Sequence, residues 1–278
     1  MPDPVCNREA LDSLSGLFDP AAWHRVYVDP DPIPARQLFQ RVTDEVHRAA
    51  LPLVKPGELW LDLGCGTGEL CRRLTGCGAR LLGVDHDPLM LQWARERVIP
   101  GLPVNLLAAD AACLPCDGGS VNGVVAASLT GCLDDAGPLM SELSRILAPG
   151  GYAALSFTNG ESVFLGLSGW CRQRSARLGG EHPCLGRFHR YRLDDTIRTA
   201  GRFGLHVVSV RHFNCFVDMM NRAFPPVRIA RALEGLPVGA VHRRLCRNFV
   251  LLLRNGGEPA SEGTTERSPG SAQAAEHG

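Results

Sequence analysis

The sequence predicts an α/β fold, a doubly wound and mostly parallel sheet carrying two cap insertions, and three observations carry that reading. Short apolar runs alternate with helical stretches from Pro34 to Phe157. The runs are largely apolar throughout rather than at alternate positions, the pattern of strands covered on both faces. The first run passes directly into a glycine-rich loop and then a helix, and in such sheets ligands bind beyond the carboxyl ends of the strands.

Taken in order, Pro34 to Leu53 reads as a helix. Pro34 suits a first-turn position, and Leu38, Phe39, Val42, Val46 and Ala49 recur at helical spacing until Pro56-Gly57 breaks it. Leu59 to Leu63 is the first strand, followed by a short helix over Glu69 to Thr75 that Gly76 and Gly78 stop. Strand and helix follow at Arg80 to Val84 and Pro88 to Val98. Val104 to Ala108 and Val121 to Ala127 are the third and fourth strands, Pro138 to Leu147 a helix and Gly151 to Phe157 the fifth strand. Leu205 to Phe213 and Phe249 to Arg254 supply two more. Residues 1–33 read as an N-terminal flap, partly disordered, with Trp23 and Tyr27 as its aromatic members. The domain proper is 34–254, with cap insertions at about 159–191 and 214–246. The segment 255–278 has no bulky apolar residue and reads as a disordered tail.

A hydrophobic fraction of 45% and a charged fraction of 21% over 278 residues suit one sizeable globular domain. The formal net charge of zero hides an asymmetry: sixteen arginines against five acidic residues lie between Trp170 and Arg254. No run of about eighteen apolar residues exists, so no transmembrane helix is expected. Residues Met1 to Gly16 lack both the basic start and the apolar run of a signal peptide, so a cytoplasmic location is the expectation. The 11 cysteines are irregularly spaced, and Cys113-Leu-Pro-Cys116 has no second pair to complete a zinc site. No metal is expected.

The glycine loop is Leu61-Asp-Leu-Gly-Cys-Gly-Thr-Gly68. Glycines let the backbone turn tightly and let a ligand approach without a Cβ in the way. A dinucleotide fingerprint, G-x-G-x-x-G, would place its third glycine where Glu69 stands, and an acidic residue there suits a pyrophosphate poorly. Asp85 ends the second strand, where a carboxylate can accept hydrogen bonds from both hydroxyls of a ribose. Asp87, directly before Pro88, reads as a helix cap instead. Further along come Asp110-Ala111 with Leu114-Pro115, and Leu147-Ala-Pro-Gly-Gly151. The residues alone point to a nucleoside-type ligand at the strand ends.

As an ordered set, these segments resemble the class I S-adenosylmethionine (SAM)-dependent methyltransferases, in particular the group that includes ubiquinone and menaquinone biosynthesis enzymes. That family's run is D-x-G-C-G-T-G, G-x-D-x-S-x-x-M-L, D-A-x-x-L-P-F and L-K-P-G-G. This chain offers Asp62 to Gly68, Gly83 to Leu91, Asp110 to Cys116 and Leu147 to Gly151. It departs at Asn122, where the family often has Asp, and at Cys116, where an aromatic is usual. The resemblance implies a Rossmann-like seven-stranded sheet with an antiparallel last strand, and SAM as cofactor. It implies that Gly64, Cys65, Gly66 and Gly68 border the methionine part and that Asp62 helps hold its amino group. It further implies Asp85, with His86 beside it, at the ribose, Asp110 and Ala111 at the adenine, and Ser128 and Leu129 near the sulfonium.

Methyl transfer is an in-line displacement at a carbon already activated, so alignment and exclusion of water are the protein's main tasks. His182, His189 and Tyr191 in the first cap are candidate general bases; Tyr191 also suits a core position and His189 a solvated one. The second cap mixes Met219, Met220 and Phe224 with Arg222, Arg228, Arg231, Arg243 and Arg244. It could line a pocket for a small apolar acceptor bearing an anionic group, touch a membrane surface where a lipid-like acceptor resides, or present a solvated arginine face. Two other classes stay open: an RNA methyltransferase using the arginine-rich half, and a non-catalytic SAM-binding regulator. Against nucleic acid, no aromatic–basic interleaving and no Asn/Asp-Pro-Pro-Tyr/Phe tetrapeptide is present.

Overall fold

The apolar runs become a single seven-stranded sheet in the computed structural model, which describes residues 19–28, 34–163, 165, 189–214 and 243–257. Most of the expected flap and of both cap insertions, the tail beyond Gly257, and His182 lie outside those residues. The strands are β1 (Leu59–Leu63), β2 (Arg80–Asp85), β3 (Val104–Ala108), β4 (Val121–Ala126), β5 (Leu147–Thr158), β6 (Leu205–Phe213) and β7 (Asn248–Asn255). Their order is β3-β2-β1-β4-β5-β7-β6. The first five pair in parallel, and β7 runs antiparallel to both its neighbours, β5 and β6. The last strand of the sequence is thus inserted beside β5 rather than added at the edge.

The helices are α1 (Pro20–Val28), α2 (Pro34–Ala50), α3 (Glu69–Leu74), α4 (Pro88–Trp93), α5 (Gly137–Ile146) and α6 (Leu193–Arg202). Because successive strand residues point to opposite faces, the alternating positions of β1, β4, β5 and β7 feed two cores. Leu61, Leu63, Val124, Leu155 and Phe157 join α5 and α6 on one face; Trp60, Val125, Ala154 and Val250 join α2 and α3 on the other. A Cβ at Gly123 would sit 2.4 Å from the Trp60 ring, so only glycine lets β4 pass beneath it. Among the described residues no helix is long and apolar enough to cross a membrane.

Two details differ from the sequence reading. Pro88 to Val98 is not one regular helix: α4 ends at Trp93 and a π-helical turn, Ala94–Val98, completes it. β5 begins at Leu147, and Ala148 to Gly151 form a register shift against β4 rather than a separate turn. Residues Pro20–Val28, within the segment read as a flap, are helical.

The junction of β5, β7 and the chain before α6 is held by Asn159, whose side chain is fully buried. Its Nδ2 donates to the carbonyls of Arg243 (2.7 Å) and Cys246 (2.8 Å), and its Oδ1 accepts from the Glu161 amide at 3.0 Å. Asn159→Ala would leave two carbonyls without this donor, at about 1–3 kcal/mol each when buried. Thermal or urea unfolding should show a loss of about 2–4 kcal/mol, whereas a change under about 0.5 kcal/mol, the size expected of a surface substitution, would mean these bonds carry little.

Candidate functional site

The carboxyl ends of β1, β2 and β4 meet where the strand order reverses, between β1 and β4, and a cavity of about 610 Å3 opens there. Gly64 and Gly66 line it after β1, Asp85, His86 and Asp87 after β2, and Ser128 after β4. Both glycines have left-handed backbones, φ 66° and 52°. Neither position has room for a side chain: a Cβ on Gly64 would lie 3.0 Å from Leu129 and one on Gly66 3.2 Å from Trp23 Nε1. Trp23 lines the cavity from α1, so part of the expected flap does reach the loop.

Asp85 holds the glycine loop as well as the cavity wall. Its Oδ2 accepts from the Gly66 amide at 2.7 Å and its Oδ1 from the Asp87 amide at 3.0 Å. Burial raises its pKa, and those two bonds act in the other direction. Asp87 Oδ1 accepts from the Leu89 amide at 2.9 Å, the cap expected from its place before Pro88. His86 Nδ1 lies 3.5 Å from Asp85, and its Nε2 is buried with no hydrogen-bond partner among the described residues.

The other expected cofactor residues lie around this cavity rather than on its lining. Asp62 is buried beneath the loop and accepts from Cys71 Sγ at 3.3 Å. Burial pushes its carboxyl up to about 7; the Cys71 bond opposes the shift and Asp85 adds to it. Cys65 turns away to pack with Cys71 and Leu91. Gly68 precedes α3 with φ 84°, beside Ala94. Asp110 bonds the Ala112 amide at 2.9 Å, with Ala111 inside the same turn, while Ala109 donates to the Asp85 carbonyl at 3.1 Å. That bond sets the turn next to Asp85.

A second cavity, of about 680 Å3, adjoins the first across the turn Ser128 to Gly131. Ser128 lines both and is held at φ 70°, a conformation that costs a non-glycine residue about 1 kcal/mol or more and persists only where surroundings enforce it. Here the Ser128 amide donates to Ser156 Oγ at 2.8 Å, and Thr130 Oγ1 donates to the Ser156 carbonyl at 2.6 Å. Phe39 and Phe157 give the cavity apolar walls; Arg190, Arg247 and Asn248 give it polar ones. Trp23 and Phe39 meet edge to face, centroids 4.8 Å apart, so one aromatic pair serves both cavities.

Of the base candidates, Tyr191 is 8% exposed, donates to the Leu133 carbonyl at 2.7 Å and packs against Phe157. Burial, followed by Asp135, raises its pKa well above the usual phenol range. The His189 amide donates to the Gly131 carbonyl at 2.7 Å, which sets the residue beside the second cavity. Arg243, one of the arginines for which an acceptor pocket, a membrane contact and a solvated face stayed open, pairs with Glu161 (2.5 Å) and Asp194 (3.0 Å). Thr130, Ser156, Arg190, Arg247 and Asn248 were not singled out from sequence. Nothing local marks them, because their neighbours come from distant strands.

Residues 61–151 match the family described as a methyltransferase domain. The chain is 39% identical over 104 residues to a demethylmenaquinone methyltransferase of Thermus thermophilus, covering 36% of this chain and 47% of that protein. It is 29% identical over 153 residues to the methyltransferase GfsG of Streptomyces halstedii, covering 53% and 54%. The chain thus spans about half the length of these relatives. Among solved structures, magnesium protoporphyrin IX methyltransferase from Synechocystis with bound SAH shares the fold at a TM-score of 0.59 and 19% identity, over 89% of this chain and 98% of that one. Residues 61–151 are thus similar in sequence to methyltransferase domains, and the sheet shares the fold of the solved methyltransferase structure.

Proposed function

We propose that the chain transfers a methyl group from SAM to a small-molecule acceptor, a lipid-like or anionic aromatic compound. The observation that carries this reading is the pairing of two adjoining cavities that share Ser128, one at the strand switch with Asp85 and Asp87 set in a mainly apolar lining, one beyond Ser128 with mixed polar and apolar walls. The first suits SAM. Its walls bring Asp85 and Asp87 and, among the described residues, no Lys or Arg, which favours a cationic nucleoside over a pyrophosphate. Among the described residues, His86 Nε2 and the buried Thr67 Oγ1 of the glycine loop have no hydrogen-bond partner, and a polar ligand would satisfy such groups.

In this reading residues 34–254 form the catalytic unit. Asp85 takes the ribose hydroxyls, with His86 beside it. Gly64, Gly66 and Gly68, with Cys65 turned behind them, shape the methionine end, and Asp62 receives its amino group. Asp110 and Ala111 edge the adenine, and Ser128 and Leu129 stand between donor and acceptor. Trp23 over Gly66 excludes water. When bound, SAM supplies a methyl carbon activated by its sulfonium, so the protein need only align the acceptor and keep the site dry.

A general base, where the acceptor needs one, is His189, whose backbone is tied to the second cavity's wall. His182 lies outside the described residues. Tyr191→Phe should keep the packing against Phe157, lose about 1 kcal/mol of stability with the Leu133 bond and leave turnover within about threefold. A general base contributes roughly 10²–10⁴-fold, so a loss of that size would return Tyr191 to the chemistry. The function itself is tested by incubating the protein with methyl-labelled SAM and a cell extract and separating the products. Label is expected in small molecules or organic-soluble material; label in RNA or protein, or none anywhere from protein that binds SAM, would contradict this acceptor class.

A further inference from the structure

The turn Ser128 to Gly131 stands between the two cavities, and it is fastened to β5, the parallel neighbour of β4. Ser128 has a left-handed backbone, φ 70°, which crowds the Cβ of any residue except glycine. Such a conformation persists where its surroundings impose it, and it concentrates at ligand sites. Ser156, buried in β5, is placed to impose it. A hydroxyl can accept and donate at once. Ser156 Oγ accepts from the Ser128 amide at 2.8 Å and donates to the Ala126 carbonyl at 3.4 Å, so one side chain grips the chain on both sides of Ala127. The buried Thr130 Oγ1 donates to the Ser156 carbonyl at 2.6 Å. Both bonds of the turn to β5 therefore end on one residue.

The fastened turn meets working parts on either side. Leu129 and Cys132 line the first cavity, Thr130 and Gly131 the second. Leu129 packs so closely on the glycine loop that a Cβ on Gly64 would lie 3.0 Å from it. The Gly131 carbonyl accepts from the His189 amide at 2.7 Å. Were Ser128 to relax to the negative φ that a serine prefers, the peptide after it would rotate and carry Leu129 off Gly64.

Resting on the methyltransferase reading above, we propose that Ser156 is a positioning residue for SAM binding. Its hydroxyl holds Ser128 left-handed and so keeps Leu129 against the glycine loop, which closes the cofactor cavity on the side that faces the acceptor. Ser156 acts through Ser128 and Leu129, not on the reacting atoms.

The test is a double-mutant cycle on the full chain, read by calorimetric SAM binding and by thermal unfolding. Ser156→Ala should weaken SAM binding by about fivefold or more in protein that is still folded at the titration temperature. Glycine takes a left-handed backbone unaided, so in a Ser128→Gly background the same Ser156→Ala should cost about twofold or less. A serine that only stabilises the fold would lower the thermal midpoint in both backgrounds and leave the SAM affinity of folded protein unmoved. That result, or an equal loss of affinity in both backgrounds, would overturn the role. Thr130→Val keeps the shape of the side chain and removes the other bond to Ser156, so it serves even if Ser156→Ala does not fold. It should weaken SAM by about twofold or more, and unchanged affinity there would count against the proposal equally. In the SAM-free chain, hydrogen exchange at the Ser128 amide should be slow in wild type and faster in Ser156→Ala; fast exchange in both would remove the brace itself. Wild-type chain that shows this protection but binds no SAM would sink the methyltransferase reading and the role together, whereas SAM binding that ignores Ser156→Ala sinks the role alone.

Discussion

Asp85→Ala should weaken SAM binding by at least roughly tenfold, and by up to about a thousandfold, because one side chain does two jobs. Charge-assisted hydrogen bonds of the kind a ribose diol would make to Asp85 contribute about 1.5–3 kcal/mol each, and every 1.4 kcal/mol is tenfold in affinity. The same carboxylate accepts the Gly66 amide at 2.7 Å and so sets the loop that borders the cavity. Asp85→Asn separates the two. It retains an acceptor for Gly66 but loses the charge, so its loss of affinity should be smaller than that of Ala. Without ligand, Asp85→Asn should be less stable than wild type by about 1–3 kcal/mol, because its amide nitrogen replaces one of the two oxygens that accept from the Gly66 and Asp87 amides. Calorimetric SAM binding and thermal unfolding of both variants check this pair of expectations. Unchanged SAM affinity in Asp85→Ala would mean that the ligand lies elsewhere.

The second large effect is on pH. Burial pushes the Asp62 carboxyl up to about 7, well above the usual 3.9 or so. The folded chain therefore favours the protonated acid. That contribution to stability is complete below about pH 4 and disappears as pH rises through about 7. An ammonium group placed against Asp62 requires the opposite form. SAM affinity should therefore climb with pH, by up to about tenfold per unit, between about pH 5 and about pH 7. It should fall again above about pH 8, where an α-amino group loses its proton. The stabilisation given by SAM in thermal unfolding should grow over the same rising limb. Asp62→Asn should bind SAM more weakly near neutrality and lose the rising limb. A wild-type affinity that is flat from about pH 5 to about pH 7 would mean that Asp62 does not meet the amino group.

What the sequence made legible was local. Each largely apolar run of five to nine residues marked a strand, the glycines marked the ligand loop, and Asp87 before Pro88 marked a cap; these signals need no distant partner. The π-helical turn after Trp93 and the irregular start of β5 were invisible because they depend on packing rather than on composition. Tyr191 illustrates the same limit: whether an aromatic hydroxyl is chemistry or core depends on Leu133 and Phe157, far from it in the chain. The second cavity was the least legible part. It exists because β7 inserts antiparallel beside β5 and carries Arg247 and Asn248 to Thr158, while the chain ahead of α6 returns Arg190 to the same place. Sequence showed an excess of arginine in that half, but not that Arg243 is consumed by Glu161 and Asp194.

The central claim is that the cavity between β1 and β4 holds SAM, and equilibrium dialysis of the full chain with labelled SAM, with NAD as competitor, tests it most directly. The account predicts saturable binding of one SAM per chain that excess NAD does not displace. No saturable SAM binding by folded protein, or displacement of SAM by NAD at comparable concentration, would contradict it.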